Sequence, residues 1–482
     1  MFDYFLIFPH QLFKINKLPE SKKYYLIEEN VFFGDRIEKL NFNKLKLVLH
    51  RATMKYYSDY LKNKDKTIKY LEYPITINDY KKILKKNKNI GCFDVVDRLL
   101  NDKLTKINSN IHFLNTPNFI TNTEDLNIYY KENENKSRKF FHMNFYEWQK
   151  KLHDIIPTIK SKDKYNRKKL PKDIEIPGIQ KLTDEDLEYI EEAKKYINKK
   201  FPNNIGNIEN FIFPVTHKTS ERWFNYFLNN KLKYFGTYQD AIDENNNFLF
   251  HSLISPVLNI GLLDPLEVCK KTEEYYKENK SVGINNVEGF IRQIIGWREY
   301  SRYLYIYAYD EMVNSNHFNN RKTLSKKWYD GTIGVLPIDN TINNAFNSGY
   351  LHHIERLMMM SNFMNLCEIK PYEVYKWFME FSCDSYDWVM INNVYSMGLF
   401  ADGGLTMTKP YISSYNYIIG MSNYKKGEWC DIWKMLYYGF LIKNKEKLEK
   451  TFLARNLSII NKLSKNQQNK ILEDVNDYLK KI

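Results

Sequence analysis

From about Asp184 onward the chain carries almost only one period, that of the α-helix, and this restricts half of the molecule to a packing of helices. Glu288–Ile306 places Phe290, Ile291, Ile294, Ile295, Trp297 and Leu304 at helical spacings, with Arg292, Arg298 and Arg302 largely on another face. Tyr350–Leu366 and Pro371–Phe381 repeat the pattern, and Asp330-Gly331 and Gly403-Gly404 punctuate it. With 482 residues, 43% of them hydrophobic, the chain is too long for one compact core, so two or more domains are expected.

The first hundred residues read differently. Tyr4–Phe8, Tyr24–Ile27 and Ile68–Leu71 are short β-rich runs, and Phe42–Leu61 between the last two is an amphipathic helix. Strand–helix–strand order predicts a parallel sheet covered by helices, with ligands beyond the carboxyl ends of its strands. There is no G-x-G-x-x-G and no P-loop, so a standard dinucleotide or nucleoside-triphosphate site has no motif. Thr121–Thr183 is polar and basic, with the run Asn166-Arg167-Lys168-Lys169-Leu170-Pro171-Lys172 and aromatic Phe140, Phe141, Phe145, Tyr146 and Trp148 among Lys and Arg. It reads as a connector lying on the larger domain, a flexible solvated linker being the plainer alternative. The expected division is an α/β domain over 1–125, a basic connector over 126–205 and a helical domain over 206–482.

The net charge of +14 favours a polyanionic partner, although the abundance of Lys also fits compositional bias on a solvated surface. Aromatic residues reach 16%, which suits large buried surfaces or stacking on flat ligands. Five cysteines are scattered with no C-x-x-C, which argues against a disulfide framework or a zinc ribbon and fits a reducing compartment. Met1–Phe8 reads as a buried strand rather than a signal peptide, and no run approaches the roughly 18 apolar residues of a membrane span. A soluble intracellular monomer is expected.

Three constellations carry possible chemistry. His352 and His353 are adjacent on a helix, so only one can face a given pocket. Histidine suits proton transfer near neutrality, yet hydrogen-bonded scaffolding is the plainer reading. Asp384, Asp387, Asn392 and Asn393 cluster around Trp388, where carboxylates and amides could hydrogen-bond a buried heterocycle, while capping and turn formation fit Asn392-Asn393. His251-Ser252-Leu253-Ile254-Ser255-Pro256 puts two hydroxyls where a helix begins, a phosphate-binding arrangement or ordinary capping.

Taken together, the motifs resemble the cryptochrome/photolyase superfamily, and most closely its prokaryotic branch of (6-4) photolyases and deoxyribodipyrimidine photolyase-related proteins. They are Phe290–Glu299, Trp328–Gly334 leading to Pro337-Ile338-Asp339, Tyr350–Met358, Tyr386–Met390, Phe400–Gly404 and Thr408–Tyr411. Upstream lie Pro9–Phe13, Leu26–Glu29, Val48–Ala52, Phe213–His217 and Phe250–Pro256, so the resemblance covers nearly the whole chain. It implies a Rossmann-like α/β antenna domain and an all-α domain holding FAD. It also implies light-driven repair of UV-induced pyrimidine dimers, cyclobutane or (6-4), flipped out of DNA. By motif position, Ser252 and Ser255, with Leu253 and Ile254 between them, and Arg292 and Arg298 would hold the phosphates. Asp387 and Asn393 would meet the flavin edge. His353 would donate a proton to the lesion, with His352, Met397 and Tyr411 lining the same pocket. Trp377, extended by Trp328 or Tyr329, would carry electrons to the flavin. Arg167, Lys168, Lys169 and Lys409 would follow the DNA.

The chain departs from the branch at its iron–sulfur cluster. The C-x-x-C expected after a Met-Ser-x-Tyr segment is absent from Met421–Glu428, and Pro337 stands where another ligand is expected. Cys430 alone cannot hold a cluster that takes four thiolates, so none is expected. A ribolumazine antenna pigment is suggested by the branch, without assignable contacts. Two other readings compete: a cryptochrome-like photoreceptor without repair, and a helical nucleic-acid-binding protein without cofactor.

Overall fold

The computed structural model describes residues 1–482. Its N-terminal part is a five-stranded parallel sheet of order β3-β2-β1-β4-β5. The strands are β1 (Phe2–Ile7), β2 (Ser21–Ile27), β3 (Ile68–Leu71), β4 (Ile90–Phe93) and β5 (His112–Leu114). β1 and β2 end in fully buried apolar residues, as central strands covered on both faces require. The helix Lys44–Lys62 follows β2 and begins at Asn43, whose side chain accepts from the Leu45 N–H at 2.9 Å.

The carboxyl ends of the strands are closed by polar side chains of the chain itself. His10 Nε2 lies 2.7 Å from the Val95 carbonyl, and Gln11 Nε2 donates to the Phe93 carbonyl at 3.1 Å. Arg51, on the helix Lys44–Lys62, pairs with Glu28 at 2.8 Å and with Glu192 of the helix Asp184–Lys200 at 2.6 Å. That pairing ties the connector region to the sheet.

The elements after β5 are all helices. The two halves share one continuous apolar core, crossed by polar staples. Asn43 Nδ2 donates to the Ala345 carbonyl at 3.2 Å, and buried Glu299 accepts from the Ile120 and Thr121 N–H groups at 3.0 and 3.3 Å. Residues 121–152 are not a free linker: they form the helices Thr123–Asn133 and His142–Leu152, the second of which buries Phe145, Tyr146, Gln149 and Lys150, and His142 stacks 3.7 Å from Trp297, whereas residues 167–183 are irregular and largely exposed. The aromatic residues interleaved among Lys and Arg are packing residues here. No helix is long and apolar enough to cross a membrane.

Candidate functional site

Three helices at the centre of the helical half each carry a π-helical turn: Arg292–Arg298, Glu355–Ser361 and Asn392–Gly398. A π turn places one more residue in the loop of each hydrogen bond and so re-aims the side chains beyond it. The last two turns meet at Gly398, where a Cβ would lie 2.8 Å from Ser361 Oγ. Between these helices open two adjoining cavities, an inner one of about 270 Å³ and an outer one of about 710 Å³. Gln293, Trp297, His353, Arg356, Met390 and Asn393 line both. The shared wall is thus built by the π turns and by the helix start at His353.

The inner cavity is apolar with a few polar groups aimed inward. Ser252, Leu253, Ile254 and Ser255 line it, and Leu253 has a left-handed φ of +58°. Such a conformation costs a non-glycine residue about 1 kcal/mol or more, a strain found disproportionately at ligand-contacting loops. Arg356 pairs with Asp384 at 2.8 Å, and Ser255 Oγ donates to the other Asp384 oxygen at 2.7 Å. Arg298 also lines this cavity, gripped by Asn118 through its carbonyl (2.6 Å) and its side-chain oxygen (3.2 Å). Its guanidinium lies over Phe119 and Trp388, and its Nε has no partner. Burial lowers Arg298 to about 10, so it is a cation at neutral pH.

Three imidazoles gather at the junction, with nitrogens of His251, His352 and His353 within 4.8 Å of one another. His251 and His352 are stacked at 4.8 Å. Burial pushes His251 down to about 3 and His352 far below its usual range, so both rings are neutral at physiological pH. Neither nitrogen of buried His352 has a partner. His353, with 44% of its side chain exposed, places Nε2 2.9 Å from Asp240 Oδ1. Burial raises the Asp240 carboxyl, but the His353 hydrogen bond and Arg167 outweigh it and leave the carboxyl below its usual range.

The outer cavity collects His353, Asn393, Met397 and Tyr411, together with Arg167 and Lys409. Arg167 has a left-handed φ of +72° and pairs with Asp163 at 2.6 Å. Lys168 and Lys169 are exposed beside it.

Two of the residues expected at the phosphates or the flavin edge do not line the inner cavity. Arg292 lines the outer cavity, not the inner, because Asp163 at 2.8 Å and Glu288 at 3.3 Å draw its guanidinium there. Asp387 lines neither cavity. Its carboxylate accepts from Tyr305 and Tyr375, each at 2.5 Å, and faces Arg36 at 3.3 Å. Asp384, just before it in the chain, is the carboxylate of the inner cavity. Asn392-Asn393 is not a cap either. Both lie inside a continuous helix, with Asn392 bonded to Ser301 Oγ at 3.2 Å and Asn393 in the shared wall.

Trp377 is buried one residue from Phe378, which lines the outer cavity. Its Nε1 donates to the Trp328 carbonyl at 2.9 Å, and its ring stacks on Phe381 at 4.2 Å. Phe381 lies 5.7 Å from half-buried Tyr329. These aromatics form a contiguous path from the cavity wall toward the surface.

All five cysteines are buried, and the gathering of three metal-binding side chains is the histidine trio, which contains none of them.

The family described as deoxyribodipyrimidine photo-lyase-related protein matches residues 5–213. A (6-4) photolyase of Agrobacterium fabrum is 41% identical over 263 residues, which is 52% of this chain and 52% of that enzyme. The chain therefore matches about half the length of that curated relative. Two crystal structures share the fold. A class III photolyase from Agrobacterium tumefaciens has a TM-score of 0.57 at 15% identity, covering 97% of this chain and 91% of that one. A Synechocystis cryptochrome has a TM-score of 0.57 at 12% identity, covering 97% and 93%. The chain shares the fold of the photolyase/cryptochrome superfamily. It has that superfamily's α/β domain followed by a helical domain.

Proposed function

We propose that this protein is a light-driven DNA photolyase that holds FAD in the inner cavity and an extruded pyrimidine dimer in the outer one. The observation that carries this reading is the wall common to the two cavities, formed by side chains that face both. A flavin site needs apolar walls, a few polar contacts at the ring edge, and cations or free N–H groups at the phosphates. The inner cavity supplies aromatic walls, the Arg356–Asp384 pair, Ser252 and Ser255, and Arg298. Its unpartnered Arg298 Nε and His352 nitrogens are donors and acceptors awaiting a ligand.

Reduced and excited by blue light, a flavin held there would supply one electron for the lesion. The residues do the rest. Asn393 and Arg356 orient groups on both sides of the wall. Asp240 orients His353, which holds a proton for the rearrangement that a (6-4) lesion requires. Met397 and Tyr411 flank the lesion, while Arg167, Lys168, Lys169 and Lys409 meet the phosphates. Trp377, Trp328 and Tyr329 would form the route for re-reduction, which arrives beside the shared wall from the outer cavity, where Phe378 is exposed to it. A ribolumazine-type antenna belongs to the same proposal without assigned contacts.

The test is reconstitution with FAD, reduction, and blue-light exposure of defined cyclobutane and (6-4) oligonucleotides, with chromophores extracted in parallel. His353→Asn should lower (6-4) turnover by about 10²–10⁴ and leave cyclobutane splitting near wild type, because only the first needs a proton donor. Flavin bound with no light-dependent turnover of either substrate would replace this reading by a cryptochrome-like photoreceptor. Failure to bind flavin would refute both.

A further inference from the structure

The outer cavity carries an aromatic ring that plays no part in the contacts described so far. Phe452 leaves 53% of its surface in solvent, whereas most aromatic rings of this chain are buried. It opens the 3-10 turn Phe452–Leu457 and lines the cavity with Lys409 and Arg455. Both cations lie against its ring, Arg455 at 4.0 Å and Lys409 at 5.6 Å from the centroid. The turn itself is fixed. Leu453 and Leu457 are buried beneath it, the Thr451 hydroxyl accepts from the Leu453 N–H at 3.1 Å, and Asn456 donates to the Tyr437 hydroxyl at 2.8 Å. The ring is therefore held outward by an anchored element.

We propose that Phe452, flanked by Lys409 and Arg455, enters the DNA duplex where the lesion has left it and stacks on a base left behind. This rests on reading the outer cavity as the lesion pocket. Extruding a nucleotide leaves neighbouring bases unstacked and an opposite base unpaired, and each presents a π-face that an aromatic side chain covers whatever the sequence. The two cations against the ring would turn to phosphates of the same DNA backbone as a base takes their place on its face. A phenyl ring has no hydrogen-bonding group, so this wedge is indifferent to which bases face the lesion.

The test compares Phe452→Ala and Phe452→Trp with wild type, all flavin-loaded, on one lesion in three settings: a fully paired duplex, a duplex mismatched opposite the lesion, and a single strand. A wedge is needed most where the helix must be held open. Phe452→Ala should weaken binding to the paired duplex by roughly tenfold to a hundredfold, the loss of one stacked base. The defect should shrink on the mismatched duplex and fall to about twofold on the single strand, the size of an ordinary surface substitution. Phe452→Trp, which keeps a stacking face, should bind like wild type. Equal losses on all three substrates, or none on the paired duplex, would overturn the wedge while leaving the lesion pocket intact. A wild-type protein that does not prefer lesion-bearing over undamaged DNA would overturn the pocket and the wedge with it.

Discussion

Asp384 and Asp387 are three residues apart, and exchanging each for Asn separates a cavity residue from a domain lock. Asp387 is buried where the domains meet. Arg36 bridges it at 3.3 Å to Asp97 at 2.8 Å, both from the N-terminal half, while Tyr305 and Tyr375 donate to it from the helical half. Burial raises the Asp387 carboxyl, against the pull of Arg36. Removing one partner of a buried ion pair costs about 3–5 kcal/mol, but Asp97 still faces Arg36, so the lower end applies. One phenol left without its acceptor adds about 1 kcal/mol. Asp387→Asn should therefore lose ~3–4 kcal/mol and lower Tm by several degrees, with flavin affinity close to wild type in protein kept folded. Asp384 and Arg356 are each slightly open to solvent, at 11% and 16% of their side chains. Asp384→Asn should accordingly cost only about 1–2 kcal/mol of stability. Its flavin affinity should fall about tenfold or more, the equivalent of 1.4 kcal/mol or more, because Arg356 loses the charge that positions it. Thermal unfolding of the unloaded proteins and flavin titration measure the two quantities separately. The opposite pattern, Asp387→Asn losing flavin at unchanged Tm and Asp384→Asn binding it normally, would refute the placement.

Glu355 is buried, and burial pushes its carboxyl up to about 8 against the His352 N–H and Arg356. A raised carboxyl stabilises the fold fully below its unfolded value and loses that contribution as pH rises through the folded value. Wild-type stability should thus fall relative to Glu355→Gln between about pH 5 and 8, by at most about 1.4 kcal/mol per pH unit, read from Tm at each pH; parallel profiles would contradict this. Trp377→Phe should cut the rate of flavin photoreduction with an external donor to a small fraction of wild type, tracked by absorbance, while flavin content is unchanged. Iron and sulfide assayed on anaerobically purified protein should be far below stoichiometric, and near-stoichiometric iron would overturn the reading of the cysteines.

Much of the fold was legible because its signals are local. The run Ile68–Leu71 and the helix Pro371–Phe381 coincide with structural elements to the residue, and the run Tyr24–Ile27 is the C-terminal part of β2. β4 and β5 were not legible. β4 has four residues including Gly91, whose missing Cβ makes room for the Phe2 ring, since a Cβ there would lie 2.7 Å from it. β5 has three residues, and His112 and Phe113 face solvent, so neither alternation nor an apolar run marks it. In the connector, the helix His142–Leu152 packs on the π turn Arg292–Arg298 and buries Gln149 and Lys150, side chains that composition alone assigns to solvent.

The site was legible as a set of motifs but not as a geometry, and the π turns explain the difference. Spacing arguments assume 3.6 residues per turn, and each inserted residue rotates the side chains beyond it by roughly 100°. The helix holding Arg298 and those holding Arg356 and Asn393 all carry such an insertion, so a face read from an ideal helix points elsewhere by the time it reaches the cavity. No local pattern announces the insertion, because tertiary contacts such as the close approach of Gly398 to Ser361 maintain it. The Arg356–Asp384 pair joins residues 28 apart in different elements, and with two aspartates so close in sequence only the packed structure distinguishes the cavity partner. The motifs therefore located the helices that meet, and the distortions of those helices decide which side chain of each motif faces the ligand.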